Sequence, residues 1–461
     1  MTLEKLKTET ANTIRLGAPI VAAQLVQMSM GFVDAVMAGH LSAKALAAVA
    51  VGGSLIGPVF LGGMGVLVAI NPVVAHLSGA DEPEEIGKNL WQGLWLSQIM
   101  VIPVFLALRN AGWVMLLFGI NPELIPITQG YLNAFSCGLP AAFGFFALRF
   151  FNEGLQIAKP SMYIALVGSV VNVAGNYAFM YGHFGFPALG AVGTGWSTAL
   201  VQWTMFACMA RFTFRRQSDR QFHIRAGLNW PQWHYLKEIM RVGIPNGMSF
   251  SIEVALFAIV ALIMGSMGVI TVAAHQVTIN FAAFTFMLPL GLSIATTARV
   301  GFAMGRRNLQ QARMFGFIGM GLSLAIMSVT AFVMIVFPEV IVRIYTQDVQ
   351  VRELAVKLLF LAGLFQISDG LQVAAFGALR GMKDTKIPMV VNIISYWLVG
   401  FTSGYGLGMV MGLGAEGLWI GLIAGLSVAA VLHSLRFHRL TKNKSEDQIE
   451  QPEHLESAIE A

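Results

Sequence analysis

The sequence predicts an all-α polytopic membrane protein of about twelve transmembrane helices in two pseudo-twofold-related six-helix bundles. Three observations lead there. Of 461 residues, 56% are apolar and 11% charged, with mean hydropathy +0.68; in water such a chain would expose far too much apolar surface. Long apolar runs alternate with short polar patches, each run near the roughly 20 residues that a helix needs to cross hydrocarbon. The chain also repeats itself. Arg15-Leu16-Gly17-Ala18-Pro19 returns 226 positions later as Arg241-Val242-Gly243-Ile244-Pro245, and the register persists through Gly39 and Gly265, Ala47 and Ala273, Gly79 and Gly305, Gly93 and Gly319, and Ser97 and Ser323. Leu189-Gly190-Ala191 meets Leu413-Gly414-Ala415 with a slip of two. An internal repeat in a membrane protein points to a transporter, because two similar bundles flanking a site can expose it to either side in turn.

The spans follow in order. The first, 14–38, carries Pro19, Gln27 and Asp34 and is too long to be a removable signal; it also shares its register with the seventh. The second, 50–76, and the eighth, 273–298, are long enough to be candidates for broken helices. Spans at 90–110 and 127–150 lead to the fifth, 161–182, with Asn172 and Asn176, and the sixth, 190–212, with Thr194 near its start. A polar linker, 213–236, contains Trp230-Pro231. The second half places spans at 239–264, 273–298, 312–336, 353–377, 387–410 and 414–435. The resulting organisation is an N-terminal bundle 1–212, a cytoplasmic linker 213–236, a C-terminal bundle 237–440 and a disordered cytoplasmic tail 441–461. Runs of Leu, Met, Ala and Phe with 49 glycines suit closely packed helices; the ten-residue alternation of a membrane barrel is missing.

Charge orients the bundle. With the N-terminus inside, 24 of the 29 Lys and Arg residues fall in inner loops and termini, among them Arg149, Arg299 and Arg380; only Lys44, Arg109, Arg343, Arg352 and Lys357 fall outside. Both termini are therefore expected in the cytoplasm. The net charge of +5 reflects this bias, and no basic stripe interleaved with aromatics suggests a nucleic-acid partner. Cys137 and Cys208 lie in spans without metal-ligand spacing and read as reduced structural thiols.

Three carboxylates fall well inside spans: Asp34 in the first, Glu253 in the seventh and Asp369 in the tenth, with no Lys or Arg expected at their depth. An aspartate at a helix centre costs about 2.5–3.5 kcal/mol on insertion scales, so an unpaired one calls for water, a proton or a bound cation. Repeat alignment sets Gln27 opposite Glu253, and Asp34 lies seven residues beyond Gln27 on the same helix face. Asn172 and Asn176 are i,i+4 and offer two side-chain carbonyls to one side, as a hard cation requires; Thr194 adds a hydroxyl. Interhelical hydrogen bonding is the plainer alternative for the Asn pair. Gln366 and Gln372 flank Asp369 at i−3 and i+3, and Gln276 stacks with Asn280 on the eighth span; such glutamines commonly serve packing. Pro19 and Pro245, at equivalent repeat positions, each remove a backbone hydrogen bond and can bend their helices, or form static kinks. His275 reads as a satisfied polar side chain.

Gly31-Phe32-Val33-Asp34-Ala35-Val36-Met37-Ala38-Gly39, Glu253-Val254-Ala255-Leu256-Phe257-Ala258, Ala273-Ala274-His275-Gln276-Val277 and Leu379-Arg380-Gly381-Met382-Lys383-Asp384 together resemble the multidrug and toxic compound extrusion (MATE) transporters, in their bacterial NorM branch. The resemblance covers roughly residues 10–440. It implies two six-helix bundles, a central V-shaped cavity, and efflux of cationic, aromatic drugs and dyes coupled to Na⁺ or H⁺. By position it makes Asp34, Asn172, Asn176 and Thr194 the first cation site, and Glu253 and Asp369 the second. If the ion is Na⁺, its ligands would be Asp34, Asn172, Asn176, Glu253 and Asp369. Gln27, Gln276, Asn280, Phe365 and Gln372 are candidate substrate-cavity residues. Phe365 stands where several relatives carry a Tyr, which removes a hydroxyl but leaves a ring face.

Efflux antiport is thus the leading reading, by a monomer in the bacterial inner membrane with membrane lipid around it and no cofactor beyond the coupling ion. A lipid-linked oligosaccharide flippase of related fold is second; its anionic pyrophosphate should require buried Arg or Lys, and the sequence suggests none. A membrane enzyme is third, since no nucleophile motif, metal cluster or phosphate-cradling loop accompanies the acids.

Overall fold

The structure, a computed structural model, describes residues 3–216 and 229–442. The described residues contain helices and no strand. The first half comprises α1 (Leu3–Leu41), α2 (Ala43–Leu67), α3 (Ile70–Ala80), α4 (Pro83–Arg109), α5 (Ala111–Leu117), α6 (Ile125–Ser136), α7 (Leu139–Gly154), α8 (Lys159–Phe179) and α9 (Ala191–Arg216). The second comprises α10 (Trp233–Ser266), α11 (Val269–Gly305), α12 (Leu309–Val336), α13 (Pro338–Tyr345), α14 (Val349–Gly381), α15 (Lys386–Ile393), α16 (Thr402–Tyr405) and α17 (Gly414–Lys442). Two π-helical stretches, Ile394–Phe401 and Gly406–Val410, flank α16 within one long span. The predicted disorder of 441–461, apart from its first two residues, lies outside the described residues.

Ten helices or stacked helix pairs are long and apolar enough to cross a membrane, and α6 with α7, bent by 46°, makes an eleventh. Helix α9 is too polar to pass on hydropathy. Its 26 residues nevertheless rise about 39 Å, more than the hydrocarbon thickness, and complete the twelve. Of the two suspected breaks, one occurs: α2 and α3 are interrupted at Val68–Ala69, while the eighth span is the single 37-residue α11. Pro289 inside α11 removes one donor, and the remaining ladder carries the helix through.

The repeat is written into the backbone. Asp81 and Arg307, both in the left-handed region at φ 60° and 55°, close the turns before α4 and α12. Gln156 (φ 62°) and Lys383 (φ 61°) do the same before α8 and α15, and Gly190 and Gly414 (φ 60° and 61°) before α9 and α17. A left-handed non-glycine costs about 1–2 kcal/mol, so four of these turns keep their shape against local preference. In the second pair, the residue's N–H caps a carbonyl of the preceding helix: Gln156 N–H to Glu153 O and Lys383 N–H to Arg380 O, both 2.9 Å.

Packing divides the chain into two compact units, one of residues 22–247 and one joining 1–21 to 248 onward. The sequence-based boundaries at 212 and 237 fall elsewhere, because α1 and α10 each hand their leading ends to the other half's helices. In the unit containing the second-half helices, Gly17 packs on Leu292 and Val21 fits against Gly291, where a Cβ would lie 2.6 Å from Val21 Cγ2. The Arg299 guanidinium bonds the Thr13 hydroxyl, the Glu9 carboxylate and, at 2.7 Å, the Glu9 carbonyl, and lies 3.8 Å from the Phe315 ring centroid. In the other unit, a Cβ on Gly243 would meet Val66 O at 2.4 Å, and the Tyr235 hydroxyl donates to Glu85 Oε2 at 2.7 Å. There the linker's end is strapped to α4: Gln92 Nε2 donates to Trp230 O (2.9 Å), Gln92 Oε1 accepts from Gln232 N–H (2.8 Å), and the Trp95 indole donates to Asn229 O (2.9 Å). The two crossing points, after Val21 and after Gly247, are again 226 residues apart, two residues beyond Pro19 and Pro245.

Helix α17 and the π-containing span meet through glycines. Gly417, Gly421 and Gly425 face Gly408, Gly404 and Gly400, and a Cβ on Gly421 would lie 2.2 Å from the Gly404 Cα. Small residues at i,i+4 allow backbones this close. Gly421→Leu should therefore cost about 2–3 kcal/mol through overpacking, whereas Gly406→Ala, whose Cβ meets nothing within 4 Å, should change stability by less than about 0.5 kcal/mol. Thermal unfolding in detergent compares the two; equal stability would contradict the glycine contact.

Candidate functional site

The first cluster lies in the unit formed by residues 22–247. Asp34, half-buried near the end of α1, accepts hydrogen bonds at one oxygen, Oδ1, from Asn172 Nδ2 (2.9 Å) and Asn176 Nδ2 (2.6 Å) of α8. One helical turn separates the two amides, so both reach the same carboxylate. The Asn pair thus presents its NH₂ ends to the acid rather than its carbonyls, contrary to the expectation from spacing, because a carboxylate can only accept. Asn172 Oδ1, Asn176 Oδ1 and Thr194 Oγ1 are buried without hydrogen-bond partners among the described residues. Ser197 Oγ donates to the Asn172 backbone carbonyl at 3.1 Å and fixes that turn of α8 against α9. Tyr131 of α6, only 6% exposed, lies within electrostatic reach of Asp34; the sequence reading missed it. Carboxylate, two amide carbonyls and a hydroxyl form an oxygen set of the kind that hard cations choose, once the amides rotate.

The second cluster lies in the other unit. Glu253 of α10 and Asp369 of α14 interact electrostatically, and the Tyr396 phenol, from the first π-helical stretch, interacts with both. Asp369 is 3% exposed and Tyr396 0%. Asp369 Oδ1 and the Tyr396 hydroxyl have no hydrogen-bond partner among the described residues. Two carboxyl groups sharing a site repel when both are ionised; a proton or small cation between them relieves this. Phe365 does not offer a free ring face. It is 2% exposed in a row of edge-to-face contacts, 6.0 Å from Phe257 and 5.6 Å from Trp419, and Trp419 continues to His275 at 5.8 Å. A phenol still lies within electrostatic reach of the acids, that of Tyr396 on a different helix. His275 is not the satisfied side chain expected: at 1% exposure its Nδ1 lacks a partner among the described residues.

The remaining candidates divide between the two units. In the unit of the second cluster, Gln372 is buried with its Oε1 unpartnered among the described residues, Gln366 Nε2 donates to the Thr285 hydroxyl and, at 3.3 Å, to Ala282 O, and Gln276 and Asn280 occupy an exposed face of α11. Gln27 belongs to the other unit, where Oε1 accepts from Arg149 Nη1 at 3.0 Å. Pro19 and Pro245 sit inside continuous helices α1 and α10.

Buried cations do exist, contrary to the sequence reading. Arg149, Arg299 and Arg380 are 1%, 5% and 1% exposed. Helices α7, α11 and α14 continue to Gly154, Gly305 and Gly381, past the apolar windows, so these arginines sit within helices and are covered by protein. Arg149 Nε pairs with Glu153 Oε1 at 2.7 Å, with both side chains at 1% exposure or less. Arg380 donates to the Thr297 hydroxyl (3.1 Å) and the Ser293 hydroxyl (3.3 Å), holding α14 on α11. Asp384, in the following turn, accepts from Arg436 Nε at 2.6 Å; burial pushes its carboxyl above the usual range while Arg436 opposes the shift. The segment 379–384 therefore fixes a helix turn. These arginines remove the ground on which a pyrophosphate-binding flippase was disfavoured.

Twelve spans in a duplicated pattern, with carboxylates lacking ion-pair partners among the described residues in both compact units, define an internally duplicated multi-pass membrane protein built like a solute transporter. The chain belongs to the MatE family, whose model matches residues 19–178 and 245–405, two segments that begin 226 positions apart. It is 40% identical over 445 residues to the multidrug resistance protein MdtK of Yersinia pseudotuberculosis serotype O:1b (strain IP 31758), covering 95% of this chain and 97% of that one. It is 39% identical to the multidrug resistance protein NorM of Aliivibrio fischeri (strain ATCC 700601 / ES114), covering 96% and 97%. The crystal structure of the eukaryotic MATE transporter AtDTX14 has the same fold, at TM-score 0.87 and 19% identity, covering 98% of this chain and 99% of that one.

Arg149→Met leaves Glu153 buried without its cation and should cost about 3–5 kcal/mol, most of it recovered in Arg149→Met/Glu153→Leu. Thermal unfolding of both variants checks this, and equal loss in the two would mean that the pair contributes packing rather than charge compensation.

Proposed function

We propose that the chain exports cationic, aromatic or amphiphilic drugs and dyes across the bacterial inner membrane in exchange for Na⁺ or H⁺, by alternating access. The observation that carries this reading is the Asp34 cluster: a carboxylate inside the bilayer, held by the Asn172 and Asn176 amides at 2.9 and 2.6 Å and paired with no Lys or Arg among the described residues. The naming of relatives 39–40% identical to it as multidrug resistance proteins supports the transported class.

Asp34 is the ion-responsive group of the first cluster. A proton removes its charge and turns one acceptor into a donor; Na⁺ draws the Asn172 and Asn176 carbonyls and the Thr194 hydroxyl inward. Either event changes what α1 must hydrogen-bond. Glu253 and Asp369 form the second ion-responsive pair, with the buried Tyr396 phenol within electrostatic reach of both. A cationic drug competes with the coupling ion for the same negative charge, which gives exchange its simplest physical basis. The coupling ion shifts the conformational equilibrium only through unequal affinity for the two states, about 1.4 kcal/mol for each tenfold in population.

Asp34→Asn, Glu253→Gln and Asp369→Asn should each insert normally yet lose most drug efflux, read as drug accumulation in expressing cells at matched protein level. Normal efflux by all three would sink the proposal. Pro19 lies two residues before the point where α1 passes between units, so Pro19→Ala should weaken the effect of Na⁺ or pH on drug affinity more than it weakens affinity itself. Drug binding measured with and without Na⁺ and across pH checks this; an unchanged ion dependence would leave Pro19 a static kink.

A further inference from the structure

A groove of about 530 Å³ runs between the leading end of α1 and the first turns of α12, within one compact unit. Apolar Leu6, Phe317, Gly321 and Leu322 line it together with Thr10 and Arg313, and Phe317 and Gly321 are exposed along it. The Arg313 guanidinium lies 5.7 Å from the Phe317 ring centroid, and its Nη2 is 3.4 Å from His438 Nδ1. No carboxylate among the described residues pairs with it. Neighbouring positions add exposed positive charge: Lys7 on α1, and Arg306 and Arg307 in the turn before α12. Both helices begin at this arginine-rich end of the bundle, and Phe317 is 40% exposed where lipid would lie.

We propose that this groove binds one anionic phospholipid, with a fatty-acyl chain along Phe317, Gly321 and Leu322 and the phosphate at Arg313, Thr10 and the surrounding cationic residues. Basic pockets between transmembrane helices near the membrane surface recognise anionic headgroups in this manner. The charge disfavours a cationic drug, and a free anion would leave the apolar lining uncovered. Thr10 lies next to Glu9, whose carboxylate and carbonyl bind Arg299. The lipid therefore braces the same turn of α1 that this arginine holds, and occupancy ties the order of that helix end to membrane composition.

The test uses the purified full chain in detergent with added phosphatidylglycerol, phosphatidylcholine or inorganic phosphate. Retained lipid is counted by native mass spectrometry, and Tm is followed in parallel. The wild type should keep one phosphatidylglycerol per chain and gain Tm from it, with no gain from phosphatidylcholine or phosphate. Arg313→Gln, which removes the charge, and Gly321→Trp, which fills the groove at a position where a Cβ meets nothing within 4 Å, should each lose that lipid and the Tm gain; Arg313→Lys should retain both. The proposal is overturned if Arg313→Gln and Gly321→Trp both keep the bound lipid and its Tm gain. Equal stabilisation by phosphatidylcholine or by inorganic phosphate would overturn it as well, since neither supplies a net negative headgroup together with an acyl chain.

Discussion

Keeping a carboxylate inside a bilayer without a cationic partner is the constraint on which the rest of the structure depends. Asp34 meets it with two amide donors one turn apart on α8, and α8 is held in turn by Ser197 of α9. Hydrogen bonds to a charged group contribute about 1.5–3 kcal/mol each, so two together offset the insertion cost of about 2.5–3.5 kcal/mol. A lysine at the same place would hold the aspartate permanently ionised and leave nothing to exchange.

Two kinds of buried charge therefore coexist and behave oppositely. Arg149 with Glu153, Arg299 with Glu9 and Arg436 with Asp384 are compensated pairs; the first lies within α7, and the other two join α11 to the start of α1 and α17 to the turn after α14. Asp34, Glu253 and Asp369 have no such cation among the described residues. Breaking a pair strands a charge and loosens the bundle; neutralising an uncompensated acid relieves a cost. Helix α1 carries both kinds, with Glu9 anchored in one compact unit and Asp34 held in the other.

The legibility of the sequence follows from the range over which each feature is encoded. The duplication, the twelve spans and the Asn172/Asn176 pair are legible from repeat register, apolar run length and i,i+4 spacing, whereas the grouping of that pair with Asp34 comes from the family resemblance. Tyr396 is not legible, since nothing at its own position relates it to acids on α10 and α14, and the π-helical turn that aims it has no simple residue pattern. The exchange of helix ends was also hidden: Gly17 and Gly243 appear as repeat markers, and only packing shows that each serves the opposite half. Arg299 and Arg380 lie beyond their hydropathy windows, which end where apolar residues end, whereas helices continue wherever buried partners satisfy a charge; Arg149 falls at the very end of its window. The orientation of the Asn amides depends on what Asp34 accepts, which spacing alone does not fix.

The central claim, that the uncompensated carboxylates couple an ion to drug movement, is tested most directly with purified protein in liposomes. Uptake of a fluorescent cationic dye is followed under an imposed Na⁺ gradient or an imposed pH gradient, one at a time, for the wild type and for Asp34→Asn. The account predicts that one of the two gradients drives dye against its own gradient in the wild type and that neither does so in the variant. Dye accumulation that needs no ion gradient, or that proceeds undiminished in Asp34→Asn, would contradict it.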